Sequence, residues 1–144
     1  MVDYNFTHPI EVRYGDLDPQ GHLNNAKFLT YFEQSRIFYF VNLGLFKPGI
    51  SFMDIGIILA DVHLVFHEPV LFGMDIHAGV KTTRLGNKSL DVQQGLLDKT
   101  TGKTLCTGQL VLVTYDYHTG KTIPIPSEWR EKINQFENLP NGDI

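Results

Sequence analysis

Between Tyr14 and Asn25 the chain carries Asp16, Asp18, Gln20, His22, Asn24 and Asn25, with Pro19 and Gly21 among them. Two carboxylates, an imidazole and several amides in so short a space suit chemistry on a group that becomes negatively charged. A helix starting just after them would add unpaired backbone N–H groups and the positive end of its dipole, both of which stabilise an oxyanion. Turn and cap duty is the ordinary use of Asp and Asn. This run has more acid, base and amide groups than a turn requires.

The elements that must hold these residues can be read on either side. Phe6, His8, Ile10 and Val12 alternate with Thr7, Pro9, Glu11 and Arg13, the period of a strand with one buried face. Pro9 has no N–H to give a neighbour, which predicts an edge position. From Ala26 to Leu43 there is no Gly or Pro, so a helix of about five turns is expected, capped by Asn24 or Asn25 and stopped at Gly44. Its apolar residues are spread round most of the wheel, which predicts a largely buried helix. Glu33 and Arg36 stand three apart and are expected to pair.

After an irregular connection over 45–56, strands are expected at Ile57–Phe66, Met74–Thr82, Leu90–Leu96 and Leu105–Tyr115, joined as successive hairpins. A short helix is expected over Ser127–Phe136, with Ser127 as N-cap and a frayed polar tail from Asn138. The fold class that follows is α+β: a five-stranded, strongly curved antiparallel sheet wrapped around a long central helix, with a short C-terminal helix. The reading is one domain over 1–137 and a tail over 138–144.

The chain has 144 residues, 42% of them hydrophobic, enough for one domain with a sizeable core. Twelve Lys+Arg against 16 Asp+Glu give a net charge of -4 with no basic cluster, which argues against nucleic acid as a partner. The lone Cys106 has no internal partner, and there is no apolar run of about 18 residues and no secretory leader, so a soluble cytoplasmic protein without membrane association is expected.

Other chemistries fit poorly. Counted from Asp16, the twelfth position of a calcium loop would be Lys27 rather than a bidentate Glu. His63 and His67, four apart on a strand, would be separated by about 13 Å, too far to share a metal, and read as surface or edge histidines. Cys106 lies in the most apolar strand and reads as a buried, unreactive thiol. GxSxG, GxGxxG, P-loop and HExxH motifs are absent. Neither a metal nor an organic cofactor is expected.

The string Y-G-D-x-D-x-x-G-H-x-N-N-x-x-F-x-x-Y-F-E-x-x-R, from Tyr14 through Arg36, resembles the signature of the hotdog-fold acyl-CoA thioesterases of the 4-hydroxybenzoyl-CoA thioesterase family. The resemblance implies a hotdog fold and a homodimer or homotetramer with active sites at subunit interfaces. It implies hydrolysis of acyl-CoA to a free acid and CoA, with Asp18 as nucleophile or general base. The backbone N–H of Asn25 would polarise the thioester carbonyl, and Asp16 would be structural.

The D-x-x-G-H-x-N-N portion also resembles acyl-acyl-carrier-protein thioesterases, which gives His22 an orienting or auxiliary role and makes acyl carrier protein an alternative partner. Gln20 departs from the Asn of that branch. A non-catalytic acyl-CoA binding module is the rival from outside enzymology. The aromatic helix face of Phe28, Tyr31 and Phe32 is a candidate lining for an acyl tunnel, and Asn24 at the helix start is a further candidate substrate contact. The resemblance adds Arg84, Lys88 and Ser89 around the GNKS hairpin, whose cations would meet the nucleotide end of CoA.

Overall fold

The computed structural model describes residues 3–47, 53 and 55–139. Strand β1 (Phe6–Ile10) leads through a 3-10 turn (Tyr14–Asp16) to helix α1 (Asn25–Asn42). Strands β2 (Gly56–Phe66), β3 (Ile76–Leu85), β4 (Ser89–Asp98) and β5 (Thr104–Asp116) follow, then a two-residue strand β6 (Lys121–Thr122) and helix α2 (Ser127–Glu137). The five long strands form a curved antiparallel sheet in the order β1-β3-β4-β5-β2, and β6 adds a sixth, minimal strand beside β5. β1 is an edge strand, as Pro9 requires.

The expectation of successive hairpins fails at one place. β2 pairs with β5 rather than with β3, so it forms the other edge of the sheet. The connection from His67 to Asp75 is too long for a tight hairpin and has work of its own. Leu23 N–H donates to the Val70 carbonyl at 2.8 Å, and His22 bridges to Leu71, so this segment braces the polar turn. Alternation in a sequence fixes which face a residue takes, not which strand lies alongside.

Asn24 caps α1, its side chain accepting from Ala26 N–H, and Gly44 follows the helix at φ 76°, where a Cβ would be strained. The largely buried helix that was expected is buried on one face. Phe28, Tyr31, Phe32, Tyr39 and Phe40 are in the core, packed chiefly over β1 and β3, whereas Leu29, Ile37, Phe38 and Val41 are at least one-third exposed. A single sheet covers only one side of a helix whose wheel is apolar nearly all round.

Arg36 also departs from its expected pairing with Glu33. It turns inward, and its Nη1 donates to Gln94 Oε1 at 3.1 Å, while Gln94 Nε2 donates to the Phe32 carbonyl and Ser35 Oγ, both at 3.0 Å. These bonds satisfy the buried Gln94 amide and tie α1 to β4.

At the C-terminal end Ser127 is the first residue of α2 rather than its cap; Pro126 holds the cap position with no side-chain bond. The helix carries its apolar face, Trp129 and Ile133, into the core. The tail does not fray at Asn138, which takes a left-handed cap conformation, and Leu139 packs on the core. The rest of the expected tail, from 140, and much of the expected irregular connection, 48–52 and 54, lie outside the described residues. No helix among the described residues is long and apolar enough to cross a membrane.

Candidate active site

The polar run folds into a closed loop between the 3-10 turn and α1. Asp16 is buried and fully engaged. Tyr31 OH donates to its Oδ2 at 2.8 Å, the Arg13 and Lys27 cations approach at 3.5 and 3.9 Å, and its carbonyl accepts from Asn24 N–H at 2.9 Å. Burial, and then the bond to Asp16, push the Tyr31 hydroxyl up to about 12, so it stays a donor. Asp16 thus sets where α1 begins.

Asp18 is held differently. Its Oδ1 accepts from Gln20 N–H at 2.9 Å and His22 N–H at 3.2 Å, while Oδ2 has no hydrogen-bond partner among the described residues. Gly21, at φ 84°, makes the reversal that returns its own N–H to the Asp18 carbonyl at 3.0 Å. One carboxylate oxygen fixes the side chain and the other is left open.

A comparable division occurs at the helix start. The first N–H groups of any helix lack intrahelical partners. Ala26 N–H is taken by Asn24 Oδ1 and Lys27 N–H by the Asn24 carbonyl, so the Asn25 N–H is left without a partner among the described residues. Asn24 therefore acts as the cap, its side chain turned to the helix rather than outward.

Asp18, His22, Asn25 and Phe28 line one side of a cleft of about 360 Å3. The opposite wall comes from the end of β2 and the residues just after it, Phe66, His67 and Glu68. Phe28 and Phe66 meet edge to face, 4.9 Å between ring centroids, and form its apolar floor. A carboxylate oxygen without a hydrogen-bond partner among the described residues, an open N–H at a helix N-terminus and an apolar floor share one cleft.

His67 and Glu68 are the residues that the sequence did not place here. His67 Nε2 lies 3.0 Å from Thr107 Oγ1 and Glu68 meets Lys103 at 3.4 Å. A histidine at a strand end reads as an edge residue until the long connection is seen to fold back on the polar turn. His63 is exposed on β2 and does not line this cleft.

Arg84, Lys88 and Ser89 do not join this cleft within one chain. Ser89 lies in line with Val113 and Ile58, near the start of β2, whereas the cleft meets the end of β2 at Phe66. The two are separated by most of the strand's length, about 25 Å. Arg84 pairs with Asp91 at 3.7 Å and Lys88 donates to Thr122 Oγ1 at 3.2 Å. Cys106 is buried on β5, and burial pushes its thiol up to about 12, which makes a poor nucleophile. Among the described residues no group of three or more His, Cys, Asp or Glu side chains is placed to hold a metal ion.

The family model of the thioesterase-like superfamily matches residues 12–133, which spans the polar loop, α1 and nearly the whole sheet. The chain belongs to that superfamily. A thioesterase from Thermus thermophilus, solved with coenzyme A and Zn, is 32% identical, with a TM-score of 0.82 over 97% of this chain and 100% of that one. The long-chain acyl-CoA thioesterase FadM of Escherichia coli is 24% identical over 88% of this chain and 96% of its own length. YsmA of Bacillus subtilis, a protein described as uncharacterized, is 27% identical over 92% of this chain and 87% of its own. The resemblance read between Tyr14 and Arg36 is borne out, as are the hotdog fold and the enzyme class, a thioesterase.

Proposed function

We propose that this thioesterase-superfamily chain hydrolyses acyl-CoA thioesters to a free acid and CoA, with Asp18 as the reacting carboxylate. The observation that carries this reading is the pairing, on one cleft, of an open Asp18 Oδ2 with the unpartnered N–H of Asn25. A thioester carbonyl placed against that N–H is polarised by it and by the helix dipole. Asp18 Oδ2 then either attacks the carbonyl carbon, expelling the CoA thiolate and leaving a mixed anhydride for water to open, or takes a proton from the water that attacks. Either way the oxyanion forms beside Asn25 N–H. His22, whose main chain is locked to Asp18, orients the site, and Phe28 meets the acyl group next to the carbonyl.

The oligomer belongs to the same reading. β2 is a long edge strand with no neighbour on its outer side among the described residues, an arrangement that invites pairing with another chain. Two copies joined antiparallel along β2 would bring the start of one β2 to the end of the other. The Arg84, Lys88 and Ser89 hairpin of the second copy would then approach the cleft that its own chain cannot reach, supplying cations for the CoA phosphates. Light scattering should give a mass at least twice the 16.4 kDa of the chain; a monomer that turns over acyl-CoA would remove this part of the reading.

The catalytic N–H can be deleted selectively. Asn25 is the first helical residue, where proline is well tolerated, and Asn24 already has φ -61° and ψ 134°, the conformation favoured before proline. Asn25→Pro should therefore keep α1 and lower kcat for acyl-CoA by about 10²–10³-fold in a thiol-release assay. Wild-type rates in a folded Asn25→Pro protein would remove the N–H from the mechanism.

A further inference from the structure

The sheet has two edges, β1 and β2. Pro9 leaves β1 short of one N–H, whereas β2 runs for 11 residues without a proline, so β2 is the edge better fitted to take another strand. Asp61 and His63 stand exposed near its middle, and neither side chain has a hydrogen bond or ion pair among the described residues. Charged side chains on an edge strand ordinarily keep a second chain away. An acid and an imidazole two residues apart can instead admit a copy of the same strand in one register.

The faces of β2 limit the registers. Its pairing with β5 shifts between Leu59 and Asp61 and is regular from Asp61 to Phe66. Within that stretch Val62, Leu64 and Phe66 turn towards α1 and the core, so Asp61, His63 and Val65 share the other face of the sheet. In an antiparallel pair, residues directly opposite one another point to the same face. About a two-fold axis this requires that one residue of β2 stand opposite its own copy.

Three registers keep the middle of the strand paired. With Asp61 on the axis two carboxylates face each other, which is destabilising. With His63 on the axis two imidazoles face each other, and Asp61 meets the apolar Val65 of the other copy. With Val62 on the axis each Asp61 stands opposite His63 of the other copy, about 5 Å apart at Cβ, and the two valines meet on the core side. We propose that two copies pair along β2 with Val62 on the two-fold axis, each Asp61 accepting a hydrogen bond from His63 of the other copy.

The inference rests on the reading of the protein as an oligomer joined through β2, and it sets what borders the catalytic cleft. The start of one β2, at Gly56 and Ile57, comes against the end of the other at His67 and Glu68, two of the residues that wall the cleft. Either rival register would move that contact by about 7 Å.

The test places single cysteines on the strand and oxidises the protein, reading cross-linked dimer on a non-reducing gel. Val62→Cys should cross-link almost fully, because directly opposed residues in an antiparallel pair have the Cα spacing of a disulfide. Asp61→Cys and His63→Cys should not, since each would lie about 8 Å from its own copy, beyond disulfide reach. The native Cys106 is buried, and the unsubstituted protein is the control. A second measurement needs no cysteine. His63→Asp sets acid against acid and should weaken the dimer about tenfold in a sedimentation dilution series, and Asp61→His combined with His63→Asp should restore it. Cross-linking at 61 or 63 in place of 62, or at none of the three in a protein of dimeric mass, overturns the register and leaves the oligomer reading standing. Equal dimer strength in the wild-type, single and double variants overturns the Asp61–His63 pair. A monomer overturns both the inference and the oligomer reading, while thiol release from acyl-CoA decides the hydrolase reading separately.

Discussion

Asp18 and His22 hold each other through the main chain: Asp18 N–H donates to the His22 carbonyl at 2.7 Å, and His22 N–H donates back to Asp18 Oδ1 at 3.2 Å. The clasp orients the carboxylate using only one of its oxygens. It also makes His22 useful to the site whatever its imidazole does, because the bonds come from its backbone.

That separation gives a prediction. His22→Ala keeps the clasp and removes the ring, so kcat should fall by only about tenfold, below the 10²–10⁴ or so of a general acid or base. Steady-state thiol release measures it. A loss of about 10³-fold or more would instead make the imidazole a proton carrier.

Alkaline pH tests the buried donors. Tyr4 and Tyr31 are raised from 10.0 to about 12, and Cys106 from 9.0 to about 12, burial being the largest cause in each case. A folded pKa above the unfolded one means that the folded state holds its proton more tightly. The resulting stability is complete below the unfolded values and is lost as pH rises towards the folded ones. Tm should therefore decline between about pH 9 and pH 12, and Cys106→Ala should flatten the part of the decline that begins near 9. Thermal melts across that range, followed by circular dichroism, would show a flat profile if these groups were solvated.

Glu137 anchors α2 to the sheet through neutral donors. Its Oε2 accepts from Tyr39 OH at 2.6 Å and Thr82 N–H at 3.1 Å, and its Oε1 from Asn5 Nδ2 at 3.2 Å. Glu137→Ala leaves the buried Thr82 N–H without this acceptor and should cost about 2–3 kcal/mol in urea unfolding. Glu137→Gln retains an acceptor and should cost less. Equal stability of all three proteins would mean that the anchor adds nothing to α2 docking.

Much of this arrangement was legible in the sequence because it is local. The alternation around Pro9, the Asn24 cap and the Gly44 stop each depend on a few neighbouring residues, and each is found where expected. The hotdog signature likewise lies within one continuous segment. What the sequence concealed depends on distant partners. The pairing of β2 with β5 goes with the way the His67–Asp75 connection braces His22 and Leu23, and periodicity carries no trace of it. Arg36 read as an intrahelical partner of Glu33 because Gln94, its actual partner, lies 58 positions away. His67 read as a surface or edge histidine, and Glu68 carried no reading at all, until the fold placed both on the cleft that Asp18 lines.

The central claim is that the open oxygen of Asp18 does the chemistry. Asp18→Asn retains an oxygen able to accept from Gln20 and His22 N–H, so the loop geometry survives while the charge is lost. With acyl-CoA as substrate, thiol release should fall by about 10³-fold or more, with unchanged circular dichroism and oligomeric mass. Wild-type turnover by a folded Asp18→Asn protein would contradict it.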